Sequence, residues 1–185
     1  TATIVEIAEA FTQLEIKPKR SLLFIAFTGE EMGLLGSKFF TNNPIIDLEN
    51  VKLMMNMDMV GSLNEETKAL TVGGTGTAIG LSDLVSQTAD TNKLKINQAA
   101  EGYGPSDHAS FYMKDIPVLF FFTGVTQEYH TPTDDVDSLN FVGQKNVSNY
   151  TYDLAMAVNN RTEALVYQEA GPKVKTAGGR RSLKV

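Results

Sequence analysis

The sequence predicts an α/β protein, a three-layer α/β/α sandwich around a largely parallel mixed sheet. Short apolar runs recur along the chain at lengths typical of strands that are buried on both faces. Segments with apolar residues at helical spacing separate these runs, and this alternation is typical of parallel sheets. At 185 residues, the chain is long enough for one domain with a substantial core.

The first third of the chain contains two predicted helices and two predicted strands. Apolar residues at helical spacing predict helices over 2–15 and 31–40. Continuous apolar runs predict buried strands over 21–27 and 51–57. The second helix is expected to turn Leu34, Leu35 and Phe39 inward.

The remainder of the chain continues the alternation. Further strands are predicted over 68–72, 94–97 and 116–122. A helix is predicted over 79–89, and a short helix opens at Pro105-Ser106-Asp107-His108. A final long helix is capped by Asp137 or Ser138 and runs to about 166. We therefore expect one domain over 1–166. Residues 167–185 read as a linker or the start of a following module, because they contain Gly breaks and five basic residues.

Composition limits the classes of function. A net charge of −6 argues against nucleic acid as a partner, and the basic residues gather in the Gly-containing tail. No apolar stretch reaches the roughly 18 to 20 residues that span a bilayer. The absence of cysteine excludes disulfides and thiolate metal sites.

Three polar motifs follow apolar runs. Glu30 and Glu31 come after the run 21–27, Asp58 directly follows the run 51–57, and His130 lies beyond the run 116–122. Ligands and catalysis gather at the carboxyl ends of strands in α/β proteins. Carboxylate oxygens and an imidazole nitrogen are suitable ligands for zinc. Adjacent glutamates on a turn point in different directions, so one can bind a metal while the other accepts a proton from a metal-bound water.

Each motif also has a purely structural explanation. Glu30 and Glu31 could complement the dipole of a following helix, worth about 0.3 to 1 kcal/mol. Asp58 could cap a loop, although a buried free charge is costly. A single loop histidine such as His130 is usually solvated. Asp107-His108 could orient a substrate or the metal ligands, or it could cap its helix with His108 as a buried histidine. We favour a structural role or a role beside the metal ligands. Gly73-Gly74-Thr75-Gly76 lacks the ending of a phosphate loop and is predicted to be a turn.

Four motifs in order resemble the co-catalytic zinc aminopeptidases, the family of bacterial leucyl aminopeptidases that is related to glutamate carboxypeptidase II and glutaminyl cyclase. They are Phe-Thr-Gly-Glu-Glu-Met-Gly-Leu-Leu-Gly-Ser at 27–37, Asn-Met-Asp-Met-Val-Gly at 56–61, Ser-Asp-His-Ala-Ser-Phe at 106–111, and Tyr-His-Thr-Pro-Thr-Asp at 129–134. The resemblance covers roughly residues 1–160. It implies an exopeptidase that removes N-terminal residues from peptides with two zinc ions.

The resemblance also implies roles for individual residues. Glu30 would be the general base, and Glu31 and His130 would bind one zinc. Asp58 would bind the other zinc. Tyr129 matches a position that in some members helps to polarise the scissile carbonyl.

The sequence departs from the family in one respect. Members carry a histidine and a bridging aspartate ahead of the Gly-Glu-Glu motif, and neither is present in these 185 residues. Since catalytic zinc ordinarily has three protein ligands, we expect this chain to be an N-terminally truncated fragment that is nearly inactive and at most partly occupied by zinc. The tail resembles members that continue into a PDZ-like module, and many relatives are secreted or periplasmic.

Two alternatives stay open. A glutaminyl cyclase-like acyltransferase would use the same fold with a single zinc. A non-catalytic binding module would keep the fold without the metals, although the survival of Glu30, Glu31, Asp58 and His130 argues against that.

Overall fold

A computed structural model of the protein describes residues 1–89 and 94–173. Within them the helices are α1 (Ala2–Thr12), α2 (Leu35–Asn42), α3 (Leu81–Ala89), α4 (His108–Tyr112) and α5 (Phe141–Asn160), and the strands are β1 (Met54–Met57), β2 (Ala69–Gly73), β3 (Lys95–Gln98) and β4 (Val118–Phe122). Short 3-10 helices cover Leu48–Asn50 and Val136–Ser138.

The four strands form one mixed sheet in the order β1-β4-β2-β3. β1 pairs with β4 in parallel, with Met54 opposite Val118, and β2 pairs with β3 in parallel, with Ala69 opposite Lys95. The central ladder between β2 and β4 is antiparallel. Two of the three ladders are therefore parallel, and the predicted mixed sheet is confirmed.

Helices cover both faces of the sheet. On one face α5 packs against α1 and α3, and the fully buried Leu70, Leu119 and Phe121 of the strands meet Leu154 of α5 in one core. On the other face α4 packs against α2, β1 and β4, and Val118 lies in the second core. Because successive residues of β4 point to opposite faces, this strand supplies both cores. The predicted three-layer α/β/α architecture is confirmed.

Helix α5 begins later and ends earlier than the sequence predicts. The cap is Asn140, whose side chain accepts a hydrogen bond from the Gly143 N–H at 2.8 Å, and neither Asp137 nor Ser138 caps it. Asp137 and Ser138 lie instead in a separate 3-10 helix. Arg161 adopts an extended backbone that ends α5 well before residue 166. None of the helices in the described residues is both long and apolar enough to cross a membrane.

The predicted strand over 21–27 is wrong in this structure, because these residues form no ladder with any strand of the described residues. Leu23 and Phe24 are 53% and 38% exposed. An apolar cavity of about 580 Å³ is lined by residues of this segment and of β1, among others. The apolar run has the length and composition of a buried strand, but among the described residues it has no strand as a hydrogen-bonding neighbour.

The first residues after α5 return to the body of the domain. Tyr167 forms an antiparallel bridge with Ala78, and the Gly102 N–H donates to the Ala170 carbonyl at 2.9 Å. Lys173 forms an ion pair with Asp115. Residues 174–185 lie outside the described residues, so the predicted linker and the PDZ-like module stay predictions.

Candidate metal centre

Glu30 and Glu31 lie on a tight turn and not in a helix. The Glu30 carbonyl accepts hydrogen bonds from the N–H groups of Gly33 and Leu34 at 2.9 and 2.8 Å. Gly29 has a φ of +66°, a conformation that glycine adopts without strain. The predicted helix over 31–40 in fact begins at Leu35, because Leu34 is left-handed with a φ of 62°. Since the first turn of α2 contains no acidic residue, the helix dipole does not explain the two glutamates.

The buried face of α2 also differs from the prediction. Leu35 and Phe39 are 50% and 69% exposed, whereas Ser37 and Thr41 are buried. The Gly36 N–H donates to the Thr28 carbonyl at 2.9 Å, which draws the first turn of α2 onto the Glu-bearing turn. Small residues therefore form the packed face of this helix.

Asp58 ends β1 at the expected edge of the sheet. Its N–H donates to the Phe121 carbonyl at 3.1 Å, one residue beyond the β1–β4 ladder. The next residue, Met59, has a φ of 51°. The carboxylate thus projects from the point where the strand stops.

His130 approaches the glutamate turn from the far end of the chain. The loop that follows β4 carries it, and the backbone there has a φ of 60°. Its Nε2 lies 2.8 Å from Oε1 of Glu31, and its ring stacks on Tyr129 with centroids 3.7 Å apart. Both partners are more than half exposed, at 54% for His130 and 69% for Glu31. Left-handed non-glycine residues cost free energy and cluster at functional sites.

The carboxylates around Glu30 form an electrostatic cluster. Partial burial raises the pKa of the Glu30 carboxyl, and the charges of Asp58, Glu31 and Asp107 raise it further, while His130 lowers it. Desolvation raises the pKa of the Tyr129 hydroxyl, and the charges of Glu31, Asp58 and Glu30 add to it. The structure thus brings Glu30, Glu31, Asp58, His130 and Tyr129 to one edge of the sheet.

Asp107 and His108 lie beneath this edge. Asp107 is 8% exposed, and its Oδ1 has no hydrogen-bond partner among the described residues. Burial raises its pKa, whereas a hydrogen bond from Ser37 lowers it. Burial lowers the pKa of His108 to about 4, and its ring stacks on Phe120 with centroids 4.5 Å apart. The charge of Asp58 also raises the pKa of Asp107, so this buried carboxyl lies close to the cluster.

The sequence matches peptidase family M28 over residues 1–155, most of its length. The chain belongs to peptidase family M28.

The chain is also similar to individual proteins that are named as aminopeptidases. The chain is 31% identical to aminopeptidase YwaD of Bacillus subtilis over 150 residues, which cover 75% of this chain and 32% of YwaD. It superposes on the LapA aminopeptidase of Legionella pneumophila with a TM-score of 0.74 and 27% identity, over 88% of this chain and 45% of LapA. BSAP, a zinc aminopeptidase from Bacillus subtilis, has the same fold, with a TM-score of 0.74 and 22% identity over 88% of this chain and 41% of BSAP. The M28 chain thus spans about a third of YwaD and less than half of the two solved proteins.

The candidate metal ligands in this M28 chain are of the types that zinc prefers, but there are fewer of them than a catalytic zinc site ordinarily has. Glu31 and His130 lie within contact of each other, and Asp58 belongs to the same cluster. Within residues 1–89 and 94–173, however, no three histidine or acidic side chains are disposed to hold a metal ion. The described part of the M28 chain therefore supplies fewer than the three protein ligands that catalytic zinc ordinarily has.

Sequence reasoning missed a polar network behind the M28 site. Ser37 and Ser110 hydroxyls lie 2.8 Å apart, and Asn56 Nδ2 donates to Ser106 Oγ at 2.8 Å. These bonds join α2, β1 and the start of α4, all of which carry or precede site residues. The sequence indicates this network only weakly, because serine and asparagine are common residues and no spacing among them predicts hydrogen bonds.

Proposed function

We propose that the protein to which this M28 chain belongs is a zinc-dependent aminopeptidase that hydrolyses N-terminal residues from peptides. The observation that carries the proposal is the 2.8 Å contact of His130 Nε2 with Glu31 Oε1, beside a Glu30 whose pKa is raised by partial burial and further by neighbouring carboxylates. The names of YwaD and LapA support an aminopeptidase. BSAP supports zinc by its description, although at 22% identity its likeness shows the fold alone.

In the proposed reaction some residues bind zinc, and others transfer protons or contact the substrate. Glu31 and His130 would hold one zinc, and Asp58 would hold the other. Bound zinc supplies an activated water, whose pKa it lowers to about 7, and a polarised peptide carbonyl. Glu30 accepts the proton of the attacking water and delivers it to the leaving amine, because it adjoins a ligand without being one. Tyr129, stacked on the His130 ring, donates to the carbonyl oxygen of the substrate.

The 185-residue chain alone is expected to be nearly inactive. One zinc would keep two protein ligands and the other only one, which is fewer than a catalytic site ordinarily has. Full aminopeptidase activity of residues 1–185 would contradict this part of the proposal.

Elemental analysis of zinc tests the site directly. We would compare residues 1–185 with the longer protein that the proposal implies, which carries the further zinc ligands. Zinc is expected to rise from near zero to about two ions per chain, and Glu31→Ala or His130→Ala should remove much of it. Glu65→Gln is the matched control, since this exposed carboxylate lies outside the cluster. A natural protein that stays free of zinc would leave the non-catalytic binding module as the better hypothesis.

A second assay separates the remaining alternative. Peptides with an N-terminal leucine and peptides with an N-terminal glutamine would be offered to the natural protein. Release of leucine supports the aminopeptidase. Formation of pyroglutamate without cleavage would overturn the proposal and support a glutaminyl cyclase-like acyltransferase.

A further inference from the structure

Hydrogen bonds tie the backbone to β4 on both sides of the Asp58 side chain. On one side, the Asp58 N–H donates to the Phe121 carbonyl at 3.1 Å. On the other side, the Met59 carbonyl accepts from the Thr123 N–H at 3.4 Å and also from the Thr123 hydroxyl. Both donors of one threonine therefore converge on a single carbonyl, one residue after a candidate metal ligand.

The parallel register of β1 and β4 shifts by one residue at this point. Continuation of the register that pairs Met57 with Phe121 would bring the Thr123 N–H to the Asp58 carbonyl. The Thr123 N–H donates to the Met59 carbonyl instead. The shift coincides with the left-handed backbone of Met59, whose φ is 51°. The chain thus departs from the regular strand directly after Asp58.

The left-handed conformation of Met59 needs support from its surroundings. A positive φ costs free energy for a residue other than glycine, so it persists only where neighbouring groups fix it. The two hydrogen bonds from Thr123 fix the Met59 carbonyl, which belongs to the strained residue itself. One of these bonds requires a side-chain hydroxyl, which an apolar side chain of the same shape does not offer.

The Asp58 carboxylate depends on this backbone for its direction. Within residues 1–89 and 94–173, it accepts no hydrogen bond and forms no ion pair. Other acidic groups of the site are held directly, since Asp107 accepts a hydrogen bond from Ser37 and Glu31 contacts His130. Metal ligands are ordinarily oriented by the groups around them. For Asp58, the described groups that can do so act on its backbone.

We propose that Thr123 is a positioning residue for Asp58, because it ties the Met59 carbonyl to the end of β4 and so fixes the direction of the Asp58 carboxylate. This role rests on the proposed function, in which Asp58 binds one of the two zinc ions. Thr123 directly follows β4, and its hydroxyl donates to the backbone and not to a candidate ligand. It therefore acts on zinc only through Asp58.

Two matched substitutions in the longer protein that the proposed function implies separate the hydroxyl from the rest of the side chain. Thr123→Val keeps the shape of threonine without the hydroxyl, whereas Thr123→Ser keeps the hydroxyl without the methyl group. We expect Thr123→Val to raise the zinc Kd of one of the two ions about 10–100-fold, the usual effect of losing a group that orients a ligand. Thr123→Ser should bind both ions as tightly as the unsubstituted protein. Unchanged zinc affinity in Thr123→Val, or an equal loss in both variants, would overturn the proposal.

Thr77→Val is the control for a general loss of stability. The Thr77 hydroxyl is buried and accepts from the Val118 N–H at 2.9 Å, at the opposite end of β4 from Thr123. Loss of this bond should lower the free energy of unfolding and leave both zinc affinities unchanged. Zinc binding that weakens as much in Thr77→Val as in Thr123→Val would show that general loosening of β4 explains the effect, and it would overturn the proposal.

Hydrogen exchange in zinc-depleted protein tests the backbone without the metal. Thr123→Val is expected to accelerate exchange of the Asp58 and Thr123 amides, whose hydrogen bonds lie on either side of the Asp58 side chain, and Thr123→Ser is not. Exchange at both amides that stays as slow in Thr123→Val as in the unsubstituted protein would overturn the proposal. An unsubstituted protein that binds no zinc would instead contradict the proposed function, and the exchange rates would still decide whether Thr123 fixes the backbone at Asp58.

Discussion

His130 Nε2 contacts Glu31 Oε1 at 2.8 Å, although 99 residues separate them in the chain. The pair is exposed, and exposed ion pairs contribute little to stability. His130 nevertheless reaches it with a left-handed backbone, which costs free energy for a residue other than glycine. The His130–Glu31 contact thus adds little to the stability of the fold and requires a strained backbone at His130. This combination is typical of a functional site.

Substitution of the adjacent glutamates should separate catalysis from metal binding. Glu30→Gln in the natural protein is expected to keep its zinc and lower kcat about 10²–10⁴-fold, the usual contribution of a general base. Glu31→Gln is expected to lose zinc, and activity with it, because it removes a ligand. Zinc analysis and steady-state kinetics on the same preparations check both expectations.

The zinc content of the two variants decides which glutamate is the general base and which is the zinc ligand. Loss of zinc from Glu30→Gln together with retention in Glu31→Gln would reverse the roles of the two residues. Equal effects from both would refute a division of labour between them.

The fold was predictable where local pattern and tertiary pairing agree. The run over 116–122 predicts a buried strand, and β4 forms at Val118–Phe122 with Val118, Leu119 and Phe121 fully buried. The run over 21–27 is of the same kind, yet it forms no strand. A strand exists only through hydrogen bonds to a neighbour, which the pattern of one segment does not reveal.

The members of the candidate site were predictable from the sequence, whereas the local structure that supports them was not. Glu30, Asp58 and His130 follow apolar runs, and the carboxyl-end rule places them at one edge. The late start of α2 was not predictable, because it depends on a left-handed Leu34, a conformation that leucine seldom adopts. The contact of Ser37 with Ser110 joins residues distant in sequence, and serine carries no pattern that indicates burial.

Two glycines in the same loop region should respond differently to alanine. A Cβ at Gly74 would overlap the Val118 carbonyl oxygen, whereas a Cβ at Gly80 would meet nothing within 4 Å. Their φ angles are +80° and +74°, so the backbone penalty is alike. We expect Gly80→Ala to lower the free energy of unfolding by about 1–2 kcal/mol, and Gly74→Ala by about 3 kcal/mol or more, because β4 must also shift. Denaturant unfolding of the natural protein measures both, and equal losses would contradict the close approach.

The hydroxyl of Tyr112 should hold the segment after α5. It accepts from the Ala170 N–H at 2.9 Å, and the carbonyls of Ala170 and Gly171 lie within 2.9 Å of it. Tyr112→Phe is expected to lower the free energy of unfolding by about 1–3 kcal/mol, because buried polar groups lose their partner. The peptide bonds near Ala170 should also become more sensitive to protease. Tyr103→Phe is the control, since the described structure shows no hydrogen bond from the Tyr103 hydroxyl, and a similar loss there would refute the assignment.

Buried His108 should make the domain less stable in acid. Its pKa is about 4 in the folded protein against 6.5 for the free side chain, so between these values the unfolded chain binds more protons. Stability from the neutral imidazole is therefore full above about pH 6.5, falls as the pH drops, and is lost by about pH 4, with a total on the order of 3 kcal/mol. His108→Phe keeps a ring against Phe120 and removes this titration. Its free energy of unfolding should decline less than that of the natural protein between pH 6.5 and 4, while the two profiles run parallel above pH 6.5. Equal slopes in the acid range would show that His108 is protonated in the fold or reaches solvent.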